Sequence, residues 1–356
     1  MTAIGAAILL GDIGGTNARF ALLSGGEIGP VSTLPVAGFA DPRGAIAAFL
    51  ETVPDHMAPT AAVLAVAGPV RGGRAALTNG VWRFEADRLG AALGLGRVRL
   101  VNDFEAQAWA LPALEDADRQ SVGGGTAVRE APLAVLGPGT GLGVAGLVPR
   151  DGTWQALVTE GGHVTMAPTD ARESRILDHL RAGGGHVSAE RVISGPGLVN
   201  LYRAMAALDG EPGPADDDER DLLQDLAAHF GTAPGLPADT LAALEQQADE
   251  RGFPARIMDL AMGRPESLAA AAFETFCAML GTVAGNLALT LGAQGGVYIG
   301  GGILRRVPDA FAASPFRARF EAKGRFQSYL AEIPTWLITH PSPAMAGLRA
   351  LVLHDG

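Results

Sequence analysis

The chain has 356 residues, 48% hydrophobic and 18% charged, with 49 glycines and 23 prolines, which is long enough for two packed cores and too apolar for a disordered chain. Its 27 basic and 38 acidic side chains leave a net charge of −11, the wrong sign for coating phosphates, so nucleic acid is not an expected partner. Lys323 is the only lysine, which leaves almost no candidate for a Schiff-base or Walker-type mechanism.

An apolar run over 6–10 opens the chain, with no basic region before it and a Gly-Asp pair closing it after Leu10; this reads as a cytoplasmic, soluble protein without a membrane span. GDIGGTN then makes a turn, and ARFALL is apolar again, the pattern of two strands joined by a glycine-rich loop. Helical periodicity predicts helices at 41–52, 104–111, 170–182, 196–208, 219–229, 237–250 and 266–292, and strands at 60–67, 97–102 and 296–299. The strand-loop-strand grammar recurs at 134–146 in LAVLGPGTGLGVAGLV, which suggests an internal duplication. Strands alternating with helices make the class α/β. From Leu208 to Phe253 the sequence turns acidic and Pro/Gly-rich, then helical, and reads as a surface insertion whose acids face solvent. Cys277 lies in an apolar helical stretch and reads as a core thiol. Alone, it can form neither an intrachain disulfide nor a zinc cluster.

Consecutive glycines in GDIGGTN let backbone N–H groups approach an anion, with Thr16 and Asn17 adding side-chain donors. Asp12 beside that loop would repel phosphate unless a cation intervened, which points to a magnesium ion held directly or through water. GPGTGLG at 137–143 has the letters of a dinucleotide fingerprint, yet a strand follows where a helix should open. It matches the first loop instead, as a grip on the other end of a polyphosphate. A third glycine-rich element, GGVYIGGGILRR at 295–306, could face a flat base.

Taken in order, GDIGGTNARFAL, LAVAGPV with LTNGVW, LVNDFEAQAWAL, GPGTGLG, EGGHVTMAP, HVSAERVISGPGLVNLYRAM, GGVYIGGGI and FEAKGRF resemble the bacterial glucokinase family. The resemblance implies a two-domain ribonuclease H-like fold of the actin-like ATPases, each domain a mixed sheet flanked by helices, with a deep cleft for nucleotide and sugar. It implies ATP-dependent phosphorylation of glucose at its 6-hydroxyl, with ATP and Mg2+ required, and a homodimer. The domains expected are a small one, 1–113 plus about 342–356, and a large one, 114–341, carrying the insertion at about 209–255. Hinges are expected near Leu111–Glu115 and Thr339–Pro343, so that closure excludes water. With one cysteine, the chain resembles the zinc-free branch and not the zinc-binding ROK sugar kinases.

Phosphoryl transfer to an alcohol needs a carboxylate to take the hydroxyl proton, and Asp103 at the end of an apolar strand is the candidate. Asn102 can donate to and accept from a sugar hydroxyl, and it also suits the cap of the following helix. Glu160, His163 and Glu190 match the family's sugar-binding positions. Gly11, Asp12, Ile13, Gly14, Gly15 and Thr16, with Gly139, Thr140, Gly141 and Gly301, match its nucleotide-binding ones. Asn79 and Gly68 lie in family motifs near them. Three alternatives stay open: a kinase for another hexose or with polyphosphate as donor, a plain ATPase, and a sugar-sensing regulator. The last would need a DNA-binding segment that neither the stretch before Gly11 nor the acidic charge favours.

Overall fold

The computed structural model describes residues 7–78, 80–208, 210, 212–231 and 252–355; the helix expected at 237–250 and Asn79 lie outside them. The chain divides into two compact units, one of residues 1–118, 145–158 and 340–356, the other of 119–144 and 159–339.

In the first unit, Ile8–Ile13 (β1) and Asn17–Ser24 (β2) pair antiparallel. The turn is only Gly14 to Thr16, so Gly11, Asp12 and Ile13, expected in a loop, are strand residues. Glu27–Ile28 (β3) and Ser32–Pro35 (β4) pair with β2. Ala61–Val66 (β5) runs parallel to β1. Three short strands that periodicity did not reveal, Val70–Arg71 (β6), Arg74–Ala76 (β7) and Arg83–Glu85 (β8), make a small separate sheet. Arg97–Asn102 (β9) then runs parallel to β5, giving the order β3-β2-β1-β5-β9. Further along come Arg119–Gly123 (β10), Leu133–Pro138 (β11), Leu142–Arg150 (β12), Thr153–Val158 (β13), Gly296–Ile299 (β14) and Thr335–Ile338 (β15), ordered β10-β15-β14-β11-β12-β13.

The two sheets share one plan. β11, like β1, leads through a glycine turn into the strand beside it, and it pairs parallel with β14 as β1 does with β5. β14 pairs parallel with β15 as β5 does with β9. The suspected duplication is therefore present in strand order and direction. Residues 145–158, the outer part of β12 with β13, group with the first unit.

Among the described residues the helices are Pro42–Leu50 (α1), Ala86–Leu93 (α2), Asp103–Ala110 (α3), Ala171–Gly184 (α4), Gly195–Ala206 (α5), Asp217–Phe230 (α6), Phe253–Gly263 (α7), Leu268–Leu291 (α8), Pro308–Ala313 (α9), Phe316–Glu321 (α10), Gln327–Ala331 (α11) and Pro343–Asp355 (α12). Their starts follow capping chemistry: the side chains of Asp41, Asn102, Asp170, Ser194, Asp216 and Ser267 each accept a first-turn backbone N–H. α8 is apolar over most of its surface because it is largely surrounded, with Glu274, Asn286 and Thr290 at its exposed positions. It is long and apolar enough to span a membrane, yet 89% of its most apolar window is buried inside the protein. Cys277 on α8 is fully buried, and loss of solvation pushes its thiol up to about 12.

The acidic segment expected on the surface is partly interior. Leu222 and Leu226 of α6 join the core of the second unit. Glu219 is wholly buried and accepts the N–H groups of Ala215 at 2.7 Å and of Ala269 at 2.8 Å, so its charge meets the positive start of α8. Lys323 is structural as well, its Nζ donating to Thr282 O at 3.0 Å and Asn286 Oδ1 at 2.8 Å.

α12 returns to the first unit and lies against α3 with no room to spare. A Cβ on Gly347 would stand 1.6 Å from the carbonyl oxygen of Ala106. Backbone there cannot yield as a side chain would, so Gly347→Ala is expected to cost about 1–3 kcal/mol and to lower the thermal midpoint. An unchanged midpoint would refute that packing. Cys277 should ignore aromatic disulfide reagents in the native chain and react once denatured; rapid native labelling would contradict its burial.

Candidate functional site

The functional candidates of the first unit gather because parallel strands end together. Ile13 of β1 is in register with Val66 of β5, and Val66 with Asn102 of β9. With strands about 4.8 Å apart, the Gly14–Thr16 turn, Gly68 and Asp103 all emerge at one carboxyl edge, where open α/β sheets bind ligands. Asn102 is the tie. Its Oδ1 accepts the N–H groups of Phe104 at 2.9 Å and Glu105 at 3.3 Å, capping α3, while its Nδ2 donates to Gly68 O at 3.1 Å. Gly68 must be glycine here, since a Cβ would lie 2.1 Å from the carbonyl oxygen of Ala76. Asp103 follows as the first residue of α3, half-buried, at the end of the helix where a carboxylate is favoured.

Asp12 sits one residue short of the edge and pairs with Arg19, directly opposite on β2, at 3.2 Å. Burial nevertheless outweighs the guanidinium, and the carboxyl is held above its ordinary value. Glu105, deeper on α3, is raised for the same reason, with Arg99 opposing the shift. Arg19 escaped the sequence reading; the register pairs Ile13 with Ala18, leaving four residues between the paired ends, and this sets Arg19 opposite Asp12.

In the second unit the corresponding edge carries the second glycine turn. Gly139 N–H donates to Gly141 O at 2.8 Å, and Gly195 N–H to Gly139 O at 2.8 Å, so the start of α5 closes on the loop. Gly301 follows β14 with φ +88°; a Cβ there would meet Pro138 O at 2.1 Å. Glu160 lies exposed at the head of the EGGH turn, where its carbonyl accepts His163 N–H at 3.0 Å. Glu190 keeps 24% of its side chain exposed. Its Oε2 accepts Leu142 N–H at 2.9 Å and its Oε1 lies 3.6 Å from His163 Nδ1. Thr159, absent from the expected set, holds the turn in place by donating to Val144 O at 2.8 Å.

Each edge thus offers a flexible-backbone turn for an anion together with carboxylates for hydroxyls. The two-sheet fold is that of the actin-like sugar kinases. The profile of the glucokinase family matches residues 9–355, and a glucokinase of Paramagnetospirillum magneticum is 48% identical over 348 residues, 97% of each chain. The crystal structure of a glucokinase from an Antarctic psychrotroph superimposes with a TM-score of 0.78 at 35% identity, covering 98% of this chain and 99% of that one. A glucokinase from Balamuthia mandrillaris, solved in complex with glucose, shares the fold with a TM-score of 0.68 at 20% identity, covering 100% and 96%. The chain belongs to the glucokinase family.

Because the folded state raises Asp12, protonated Asp12 contributes stability that is full below the unfolded carboxyl value and is lost as pH rises through the folded one. Asp12→Asn should therefore be less pH-sensitive than wild type in this window, with the gap in thermal midpoint growing in its favour toward neutral pH. Parallel pH profiles of the two proteins would refute the burial argument.

Proposed function

We propose that the chain transfers the γ-phosphoryl group of ATP to the 6-hydroxyl of glucose, with Asp103 as general base. The observation that carries this reading is Asp103 at the carboxyl edge of three parallel strands, on a helix whose cap, Asn102, is itself anchored to Gly68. In the step, the 6-oxygen attacks phosphorus, the bond from phosphorus to the bridging oxygen of ADP breaks, and the hydroxyl proton passes to the Asp103 carboxylate. Asn102, Glu160, His163 and Glu190 orient the sugar hydroxyls. A set of matched acceptors discriminates against analogues lacking a hydroxyl, because its polar groups would be left without partners.

Residues 11–16 and 139–141, with Gly301, are read as the nucleotide contacts. Asp12 fits a magnesium ion: it is a hard oxygen donor whose charge Arg19 only partly compensates. No three His, Cys, Asp or Glu side chains cluster as a metal set among the described residues, which suits an ion that takes one carboxylate and fills its remaining positions from phosphate and water. The ion supplies neutralisation of charge on the phosphate oxygens. A cytoplasmic homodimer, with one small and one large domain per chain, completes the reading.

Asp103→Asn should lower kcat by about 10²–10⁴-fold with little change in glucose affinity, since it removes a base and leaves binding contacts. The assay is ADP release from Mg-ATP across a panel of hexoses, with product read by a 6-phosphate-specific dehydrogenase. Unaltered turnover would remove Asp103 from catalysis, and a preference for another hexose would overturn the sugar assignment while leaving the base in place.

A further inference from the structure

Gly141 lies in a turn read as a phosphate grip, and Glu190 in a set read as a sugar pocket, but the two are in contact. A Cβ built on Gly141 would stand 2.5 Å from Glu190 Oε2, and the only other atom near it would be Glu190 Cδ at 3.3 Å. Gly141 is not among the glycines with left-handed backbone, so conformational freedom is not what the position demands. Space for a carboxylate is.

Three segments lock together around this point. Leu142 N–H donates to Glu190 Oε2 at 2.9 Å, and Glu190 N–H donates to Gly162 O at 2.9 Å. A Cβ on Gly162 would meet Leu142 O at 2.0 Å, so the EGGH turn rests directly on the end of the glycine loop. Ser194 Oγ donates to Glu190 O at 2.8 Å and holds the segment from the other side. With Oε2 fixed on the loop, Oε1 is turned toward His163 at 3.6 Å.

We infer that Gly141 is a positioning residue for the hexose: its missing side chain lets Glu190 bind the loop through one oxygen and present the other beside His163. This rests on Glu190 being a sugar ligand. A methyl group at 141 would force the carboxylate back by about 1 Å to reach ordinary contact. The carboxylate is the free end of a side chain and can move, so the fold is retained while the sugar contact is lost. Losing a hydrogen bond to a charged group costs roughly 10- to 100-fold in affinity.

The test is calorimetric titration of the full chain with glucose, and separately with ADP, for wild type, Gly141→Ala, Glu190→Ala and the double variant. Gly141→Ala is expected to weaken glucose about 10- to 100-fold and to have no further effect on glucose once Glu190 is alanine. Loss of ADP affinity with glucose unchanged would overturn the inference, as would additive effects in the double variant. Glucose binding undisturbed by Glu190→Ala would overturn the sugar reading of Glu190 and this inference with it. If glucose responds to Glu190→Ala and not to Gly141→Ala, only the inference falls. Glu190→Asp supplies a second background, whose shorter carboxylate stands back from the loop. There Gly141→Ala should cost less than in wild type, and an equal or larger cost would count against the inference.

Discussion

Register between parallel strands is the constraint on which the candidate site depends. Ile13, Val66 and Asn102 stand side by side, so whatever follows each of them in sequence emerges at the same edge. Gly14, Gly68 and Asp103 are far apart along the chain and come to one edge of the sheet for that reason. A slip of one residue in β9 would turn every side chain of that strand to the opposite face and carry Asn102 away from Gly68. The hydrogen bond from Asn102 to Gly68 O is thus both a product of the register and a lock upon it. The second sheet repeats the arrangement, with Leu136 beside Ile299 and Ile299 beside Leu337, and there too the glycine turns follow the strand ends.

Burial of charge separates the structural acids from the candidate functional ones. Glu219 and Glu173 are almost fully enclosed, and each is satisfied by several donors: Glu219 by backbone N–H groups at the start of α8, Glu173 by Thr169 and Arg319. Asp12 is different. One arginine faces it, and that does not offset its loss of solvation. An under-compensated carboxylate at a strand end is costly to the fold, and such costs are retained where a ligand recovers them. Glu190 and Glu160 keep access to water instead, as acceptors for an incoming hydroxyl must.

Much of this was legible beforehand, and what was not has physical reasons. The glycine turns were readable because glycine pairs between apolar runs leave few alternatives, and α8 because 24 residues of predominantly apolar sequence must be largely enclosed. Asn102 declared itself as a cap by its place before FEAQAWAL. The strands β6 to β8 were not readable, being two or three residues long, too short for periodicity to register. Nor was the interior position of Glu219, since its donors are backbone N–H groups, which carry no side-chain signal, and that of Ala269 is distant in sequence. The outer arm 145–158 gave no hint of grouping with the first unit, because hairpin patterning reports local pairing and says nothing about which core a hairpin joins.

The fingerprint GPGTGLG shows how one motif can hold unlike requirements. A Cβ on Gly137 would collide with the backbone of Gly300 at 2.7 Å; one on Gly139 would meet nothing; one on Gly141 would meet only Glu190. The first glycine serves packing between neighbouring strand ends, the second leaves the open approach that an anion needs, and the third makes room for an acid from another segment. Only Gly139 answers to the usual reading of such a loop. Letters alone cannot separate these roles, because glycine is selected by what must be absent, and the absent atom's neighbour is supplied by a different part of the chain. The glycine loop and the EGGH turn are therefore better regarded as one packed element with two faces than as two that happen to be close.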